Sequence, residues 1–177
     1  LIKNGTVGFG GNTAHALDRS LDRLETLIER SLTEVRLRVE PTIHSESVHL
    51  LMVLNQIILT SEIEAQKRRQ ILELDVDSSL IFQADAELIY SAIFNLIQNA
   101  LKFSPDGATI KVGGRREGKD VIIQVEDECG GLPDTTIDLF KAFERQHENR
   151  KGLGLGLTIA RRAVELNGGT ITVKDIS

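Results

Sequence analysis

Residues 85–102 constrain this chain more than any other stretch. Leu88, Ile89, Ile93, Leu96, Ile97, Ala100 and Leu101 would cover much of the circumference of a helix, which implies burial on more than one side. Asn95, Asn99 and Lys102 nevertheless fall at i, i+4 and i+7, and so form a single polar row. Two readings compete: a solvated helix face, or a face turned to a ligand. Asn is a mediocre helix former, and two in one row are better explained by a ligand that takes their carbonyl oxygens. Magnesium favours such oxygen ligands and keeps waters and substrate phosphates in its remaining positions.

Two later segments carry related chemistry. In Val125-Glu126-Asp127-Glu128-Cys129-Gly130-Gly131 a carboxylate sits just beyond a β-like run and before two glycines. That pattern fits a strand-ending turn. It also fits an Asp127 that accepts from an exocyclic amine while Gly131 lets backbone approach a ring. Gly152-Leu153-Gly154-Leu155-Gly156-Leu157 is glycine-rich and leads into a predicted helix over 153–166, whose N-terminus favours an anion. It is not the dinucleotide pattern G-x-G-x-x-G, because position 157 is Leu, and the chain has no P-loop. Arg150 and Lys151 add cationic charge beside it, or are simply solvated. In this order the three segments describe a pocket for a magnesium-nucleotide.

The remaining pattern reads as α+β. Residues 1–11 are a Gly-rich loop, and Leu17, Leu21, Leu24, Ile28 and Val35 then mark a long amphipathic helix of coiled-coil period, ended by Pro41. A second apolar helix is predicted from Ser47 to Glu64. Short β-like runs follow at Ile71–Val76 and Leu80–Gln83, joined by the turn-forming Asp77-Ser78-Ser79. The helix of 85–102 stops before Ser104-Pro105-Asp106-Gly107, and Thr109–Gly113 and Val121–Glu126 look like a hairpin. The last helix should end at Asn167-Gly168-Gly169 and give way to a strand at Thr170–Lys174. Helices alternating irregularly with hairpins point to helices on one face of a largely antiparallel sheet.

With 177 residues and 41% of them apolar, the chain can close one ordinary core. A net charge of −5 argues against blanket phosphate neutralisation on a nucleic acid, and no window is apolar enough to span a bilayer. One cysteine, Cys129, permits no internal disulfide, which fits a cytoplasmic setting. The chain starts at Leu1 without an initiator Met, so we expect a fragment, with any membrane elements lying in absent upstream segments.

The ordered set resembles the N, G1, F and G2 boxes of the sensor histidine kinases of bacterial two-component systems, over most of the chain from Thr13 onward. The resemblance implies a two-layer α/β sandwich of the Bergerat (GHKL ATPase) type, binding ATP and Mg2+. By position, Asn99 would coordinate magnesium, Asn95 and Lys102 would face the phosphates, and Phe103 would lie against the adenine. Asp127 would accept from the adenine amino group, with Cys129 and Gly131 beside it. Leu139-Phe140-Lys141-Ala142-Phe143 resembles the F box, residues 134–151 the lid with Arg150 as its phosphate contact, and Gly152, Gly154, Gly156 and Leu157 the phosphate loop.

Two departures stand out. Cys129 occupies the place of the family's usual first glycine. The phosphoacceptor motif is missing, since His15, His44, His49 and His147 all lack its context, so no catalytic residue is nominated. Residues 1–40 resemble the second helix of the dimerisation hairpin and 41–177 the catalytic domain. The implied partners are a response-regulator receiver domain and, through the N-terminal helix, a second copy. The rivals are another ATPase of the same superfamily, such as an anti-sigma-factor serine kinase, and a non-catalytic nucleotide-dependent interaction module.

Overall fold

The computed structural model describes residues 42–131, 140 and 156–175. The helix expected within 1–40 and most of the lid lie outside the described residues. The elements run β1 (Glu46–His49), α1 (Leu50–Lys67), β2 (Ile71–Val76), β3 (Ile81–Ala84), α2 (Ala86–Phe103), β4 (Thr109–Glu117), β5 (Asp120–Glu126) and α3 (Gly156–Leu166). One sheet has the order β2-β4-β5, with β2 parallel to β4 and β5 antiparallel to it, and β1 pairs antiparallel with β3 in a separate ribbon. This is the mixed, largely antiparallel α+β arrangement expected.

One face of the larger sheet carries the core. Leu72, Leu74, Val76, Ile110, Val112, Val121, Ile123 and Val125 pack against α1 and α2, with Ile110 and Val112 fully buried. From α1 the residues Leu50, Leu54, Ile57, Ser61 and Ala65 point inward at helical spacing. Ser61 is satisfied there by the side-chain amide of Gln98 on α2 at 3.2 Å. Truncating a side chain as deeply buried as Ile57 or Ile97 would cost about 2–5 kcal/mol.

The second layer contact joins α2 to α3. Ala92, Ala160 and Ala163 are buried between them, flanked by Leu88, Leu96, Val164 and Ile171. Small side chains let the two helices approach closely. Asn167, just past α3, accepts from the backbone N–H of Asp85, just before α2, at 2.7 Å. Since Gly156 at the opposite end of α3 abuts the middle of α2, the helices run antiparallel.

Two expectations are corrected. Residues 47–49 belong to β1, not to the second helix, which instead spans Leu50–Lys67. Glu46–His49 pairs residue for residue with Ala84–Ile81, burying Val48, and the backbone N–H of Leu50 is claimed by Leu80 at 3.1 Å. That ladder to a distant segment overrides a local apolar pattern that continues into the helix. Thr170–Lys174 forms no strand. β-like composition makes a strand only where a partner ladder is available, and among the described residues these five have none. The other boundaries agree within a few residues, β4 running on to Glu117, and the Asp77 turn is closed by Oδ1 accepting from Ser79 N and Oγ.

Asp85 caps α2. Its Oδ1 accepts from Leu88 N at 3.1 Å and its Oδ2 from His44 N at 3.0 Å. Burial pushes its carboxyl pKa up, but the backbone donors of His44, Leu88 and Glu87 together with the His44 charge outweigh this and hold it below the ordinary value. A lowered carboxylate pKa contributes stability above its unfolded value, and that contribution is lost as pH falls through the folded one. We expect Asp85→Ala to lower stability by about 0.5–2 kcal/mol at neutral pH in urea melts. The gap from wild type should close in acid, and a gap independent of pH would contradict the assignment.

Candidate nucleotide site

Asn95, Asn99, Lys102 and Phe103 all project from α2. Asn95 and Asn99 are half-buried, whereas Lys102 and Phe103 are exposed at the helix end, with the Lys102 ammonium 5.5 Å from the Phe103 ring centroid. The side-chain amide of Asn95 donates to Ser91 O at 2.7 Å, one turn back on the same helix. One of its two N–H donors is thus occupied, and its Oδ1 is turned toward the start of α3. The Asn99 side chain makes no hydrogen bond among the described residues.

The first residue of α3 meets this row. A Cβ placed on Gly156 would lie 3.2 Å from Asn95 Oδ1 and 3.2 Å from Asn99 Nδ2, closer than side chains normally approach. Glycine here allows the end of the glycine-rich run to lie directly on the Asn pair. Leu157, next along α3, is half-buried. Thr158, which sequence reasoning passed over, donates its hydroxyl to Phe140 O at 2.9 Å, and Arg161 lies 5.9 Å from the Phe140 ring centroid. The first turns of α3 therefore anchor Phe140, part of the stretch read as an F box. A single Thr in a helix gives no signal of such a role.

Asp127, Cys129 and Gly131 follow β5. Because Glu126 pairs with Lys111 near the start of β4, and β4 follows the turn after α2, this loop leaves the sheet at the end where Lys102 and Phe103 lie. Glu128 Oε1 also accepts from Thr109 N at 3.4 Å, tying the loop to that end. Asp127 Oδ1 accepts from Cys129 N at 2.9 Å. Gly130 and Gly131 carry the left-handed backbone, with φ of 87° and 94°, while Cys129 is not among the residues of positive φ. The substitution of cysteine for the usual glycine thus falls where an L side chain fits without strain. Phe143, Arg150, Gly152 and Gly154 lie outside the described residues.

Burial raises the Cys129 pKa, as do a hydrogen bond to Asp127 and its negative charge. The raised value keeps the thiol protonated, and so poorly nucleophilic, near neutral pH. We expect iodoacetamide to modify Cys129 slowly at neutral pH, with the rate rising only on the alkaline side of a normal thiol. Asp127→Ala should move that pH profile toward neutrality. An unchanged profile would show that Asp127 does not act on the thiol.

Residues 84–177 match the family described as histidine kinase-, DNA gyrase B-, and HSP90-like ATPase. The sensor protein PfeS of Pseudomonas aeruginosa is 30% identical over 160 residues, covering 88% of this chain and 35% of PfeS. Histidine kinase AdeS of Acinetobacter baumannii is similar in structure with a TM-score of 0.74 at 24% identity, over 99% of this chain and 83% of that one. Histidine kinase ThkA in complex with the response regulator TrrA is similar with a TM-score of 0.71 at 20% identity, over 93% of this chain and 48% of that one. The chain thus spans about a third of the length of the curated relative PfeS. The chain belongs to the histidine kinase-, DNA gyrase B-, and HSP90-like ATPases, and carries their ATP-binding domain in the form found in sensor histidine kinases.

Proposed function

We propose that this domain holds magnesium-ATP for transfer of the γ-phosphoryl group to a histidine, and onward to an aspartate of a receiver domain, as part of a cytoplasmic sensor kinase. The observation that carries this reading is the seating of Gly156 on the Asn95–Asn99 pair, which joins an amide-oxygen row to a phosphate-type loop. The donor set fits magnesium: Asn95 holds its amide in place through one N–H to Ser91 O, leaving its oxygen for a hard cation, and Asn99 has both side-chain atoms available among the described residues. Bound magnesium would supply charge neutralisation at the phosphates.

The chain's own part is binding and orientation. Asn99, with Asn95, would hold the metal, Lys102 would face the phosphates, and the exposed Phe103 ring would take the base by stacking. Asp127, a carboxylate acceptor at the same end of the sheet, would receive the adenine amino group. The amides of the 152–157 loop and the start of α3 favour phosphate anions. In phosphoryl transfer such positioning is most of the catalysis. Residues 13–38, whose apolar spacing predicts a helix, would pair with a second copy. Transfer to a receiver domain accords with the complex that ThkA forms with its regulator.

Isothermal titration should show adenine-nucleotide binding that strengthens with magnesium. Removing one polar partner costs about 1–3 kcal/mol, so Asn99→Ala should abolish mainly the magnesium-dependent part, while Asp127→Asn should weaken ATP relative to GTP. Gly156→Ala should weaken binding by about 0.5–1.5 kcal/mol, the strain of displacing the Asn rotamers. Equal losses for ATP and GTP in Asp127→Asn would remove its base-reading role, and a folded wild type that binds no nucleotide would refute the whole reading.

None of the four histidines lies in an acceptor motif, so the chain alone, incubated with radiolabelled ATP, should hold no acid-labile phosphate. Phosphohistidine on this chain, lost on His15→Ala, would overturn that assignment.

A further inference from the structure

The end of α2 that presents Lys102 and Phe103 is closed by an uncommon device. A helix leaves its last carbonyls without intrahelical partners, and a glycine just beyond the helix commonly satisfies them with backbone N–H groups. Here two side chains from the turn between α1 and β2 do so, reaching across more than thirty residues of sequence. The Arg68 guanidinium donates to Leu101 O, to Lys102 O at 3.1 Å and to Ser104 O at 2.7 Å, and its Nε to Asp106 Oδ1 at 3.0 Å. The Gln70 side-chain amide donates to Leu101 O at 3.0 Å, Ser104 O at 3.1 Å and Pro105 O at 3.0 Å.

The backbones lock together as well. Gly107 N donates to Arg68 O and Ile71 N to Ala108 O, each at 2.9 Å. Arg69, between the two side chains, holds a φ of 56°, which an L residue adopts only at a cost. Gln70 and Ser104 are 6% and 1% exposed, and among the described residues Gln70 Oε1 and Ser104 Oγ have no hydrogen-bond partner. A half-buried cluster in which Gln70 and Ser104 are buried, the exposed Arg69 is strained, and two polar atoms lack a partner among the described residues is a costly way to end a helix if stability is all that it serves. What it does fix is the rotation and height of the last helical turn. The planar fork of Arg68 engages three carbonyls at once, and its charge suits the negative end of the helix dipole.

We infer that Arg68 and Gln70 are positioning residues for the nucleotide site, acting through Lys102 and Phe103, an inference that rests on the reading of α2 as a nucleotide-binding helix. Neither residue need touch the ligand. Their contribution to affinity should therefore vanish when Lys102 and Phe103 are removed, whereas a purely structural contribution would not.

The test is a double-mutant cycle in magnesium-ADP affinity by isothermal titration, on chains verified as folded by circular dichroism. Arg68→Met should weaken binding about five- to tenfold. In a Lys102→Ala/Phe103→Ala background the same substitution should cause no further loss. Arg68→Lys keeps the charge at the helix end but cannot fork across three carbonyls. It should hold the melting temperature near wild type while still weakening binding, and it carries the test if Arg68→Met does not fold. Wild-type affinity in folded Arg68→Lys, or losses that simply add in the combined variant, would overturn the inference. A wild-type chain that fails to bind adenine nucleotide would instead refute the underlying reading of the site.

Discussion

Everything in the domain depends on α2 being packed on two sides. Its inner face closes the core over the sheet, through Ile93, Ile97 and Leu101, and its flank receives α3 through Ala92, Ala160 and Ala163. A helix so enclosed has little surface left for chemistry: one partly open row and its C-terminal end. Asn95 and Asn99 occupy the row, Lys102 and Phe103 the end. Packing α3 antiparallel on the flank then decides where the glycine-rich run ends, because Asn167 fixes one end of α3 at Asp85 and the other end falls on the Asn pair. The seating of Gly156 on the Asn pair is a consequence of helix packing.

The physical character of each contact follows its place. Near Asn95 and Asn99 the close approach is between backbone and amide, so only glycine is accommodated at 156 without displacement. Past β5 the requirement is conformational, since Gly130 and Gly131 take left-handed backbone and leave position 129 open to a side chain. Cysteine there changes the chemistry of the loop more than its shape. Beside Asp127 its thiol is held in the protonated form, a neutral neighbour for that carboxylate.

Sequence pattern alone was sufficient for features whose cause is local. The start of α2 at about Asp85, its apolar circumference, the Asp77 turn and the glycine stop after α3 each follow from residues within a few positions of one another. It failed where a distant partner decides. Residues 47–49 read as the start of a helix because their apolar spacing runs into α1, and only Ile81–Ala84, more than thirty positions away, makes them a strand. Thr170–Lys174 has strand composition with no ladder to join among the described residues. The site behaves in the same way: the residue types were visible, but the seating of Gly156, the anchoring of Phe140 by Thr158 and the Arg68–Gln70 closure are contacts between segments that no spacing announces.

The central claim is that the Asn row is the metal-nucleotide face of the domain. The side-chain amide NMR signals of Asn95 and Asn99 report on it directly, because Asn95 Nδ2 is already hydrogen-bonded to Ser91 while Asn99 is not so engaged among the described residues. Titration with magnesium-ADP should shift the Asn99 signals strongly and the Asn95 signals less, and ADP without magnesium should reproduce only a small part of the Asn99 shift. Equal shifts with and without magnesium, or none at either residue while nucleotide binds, would contradict the claim.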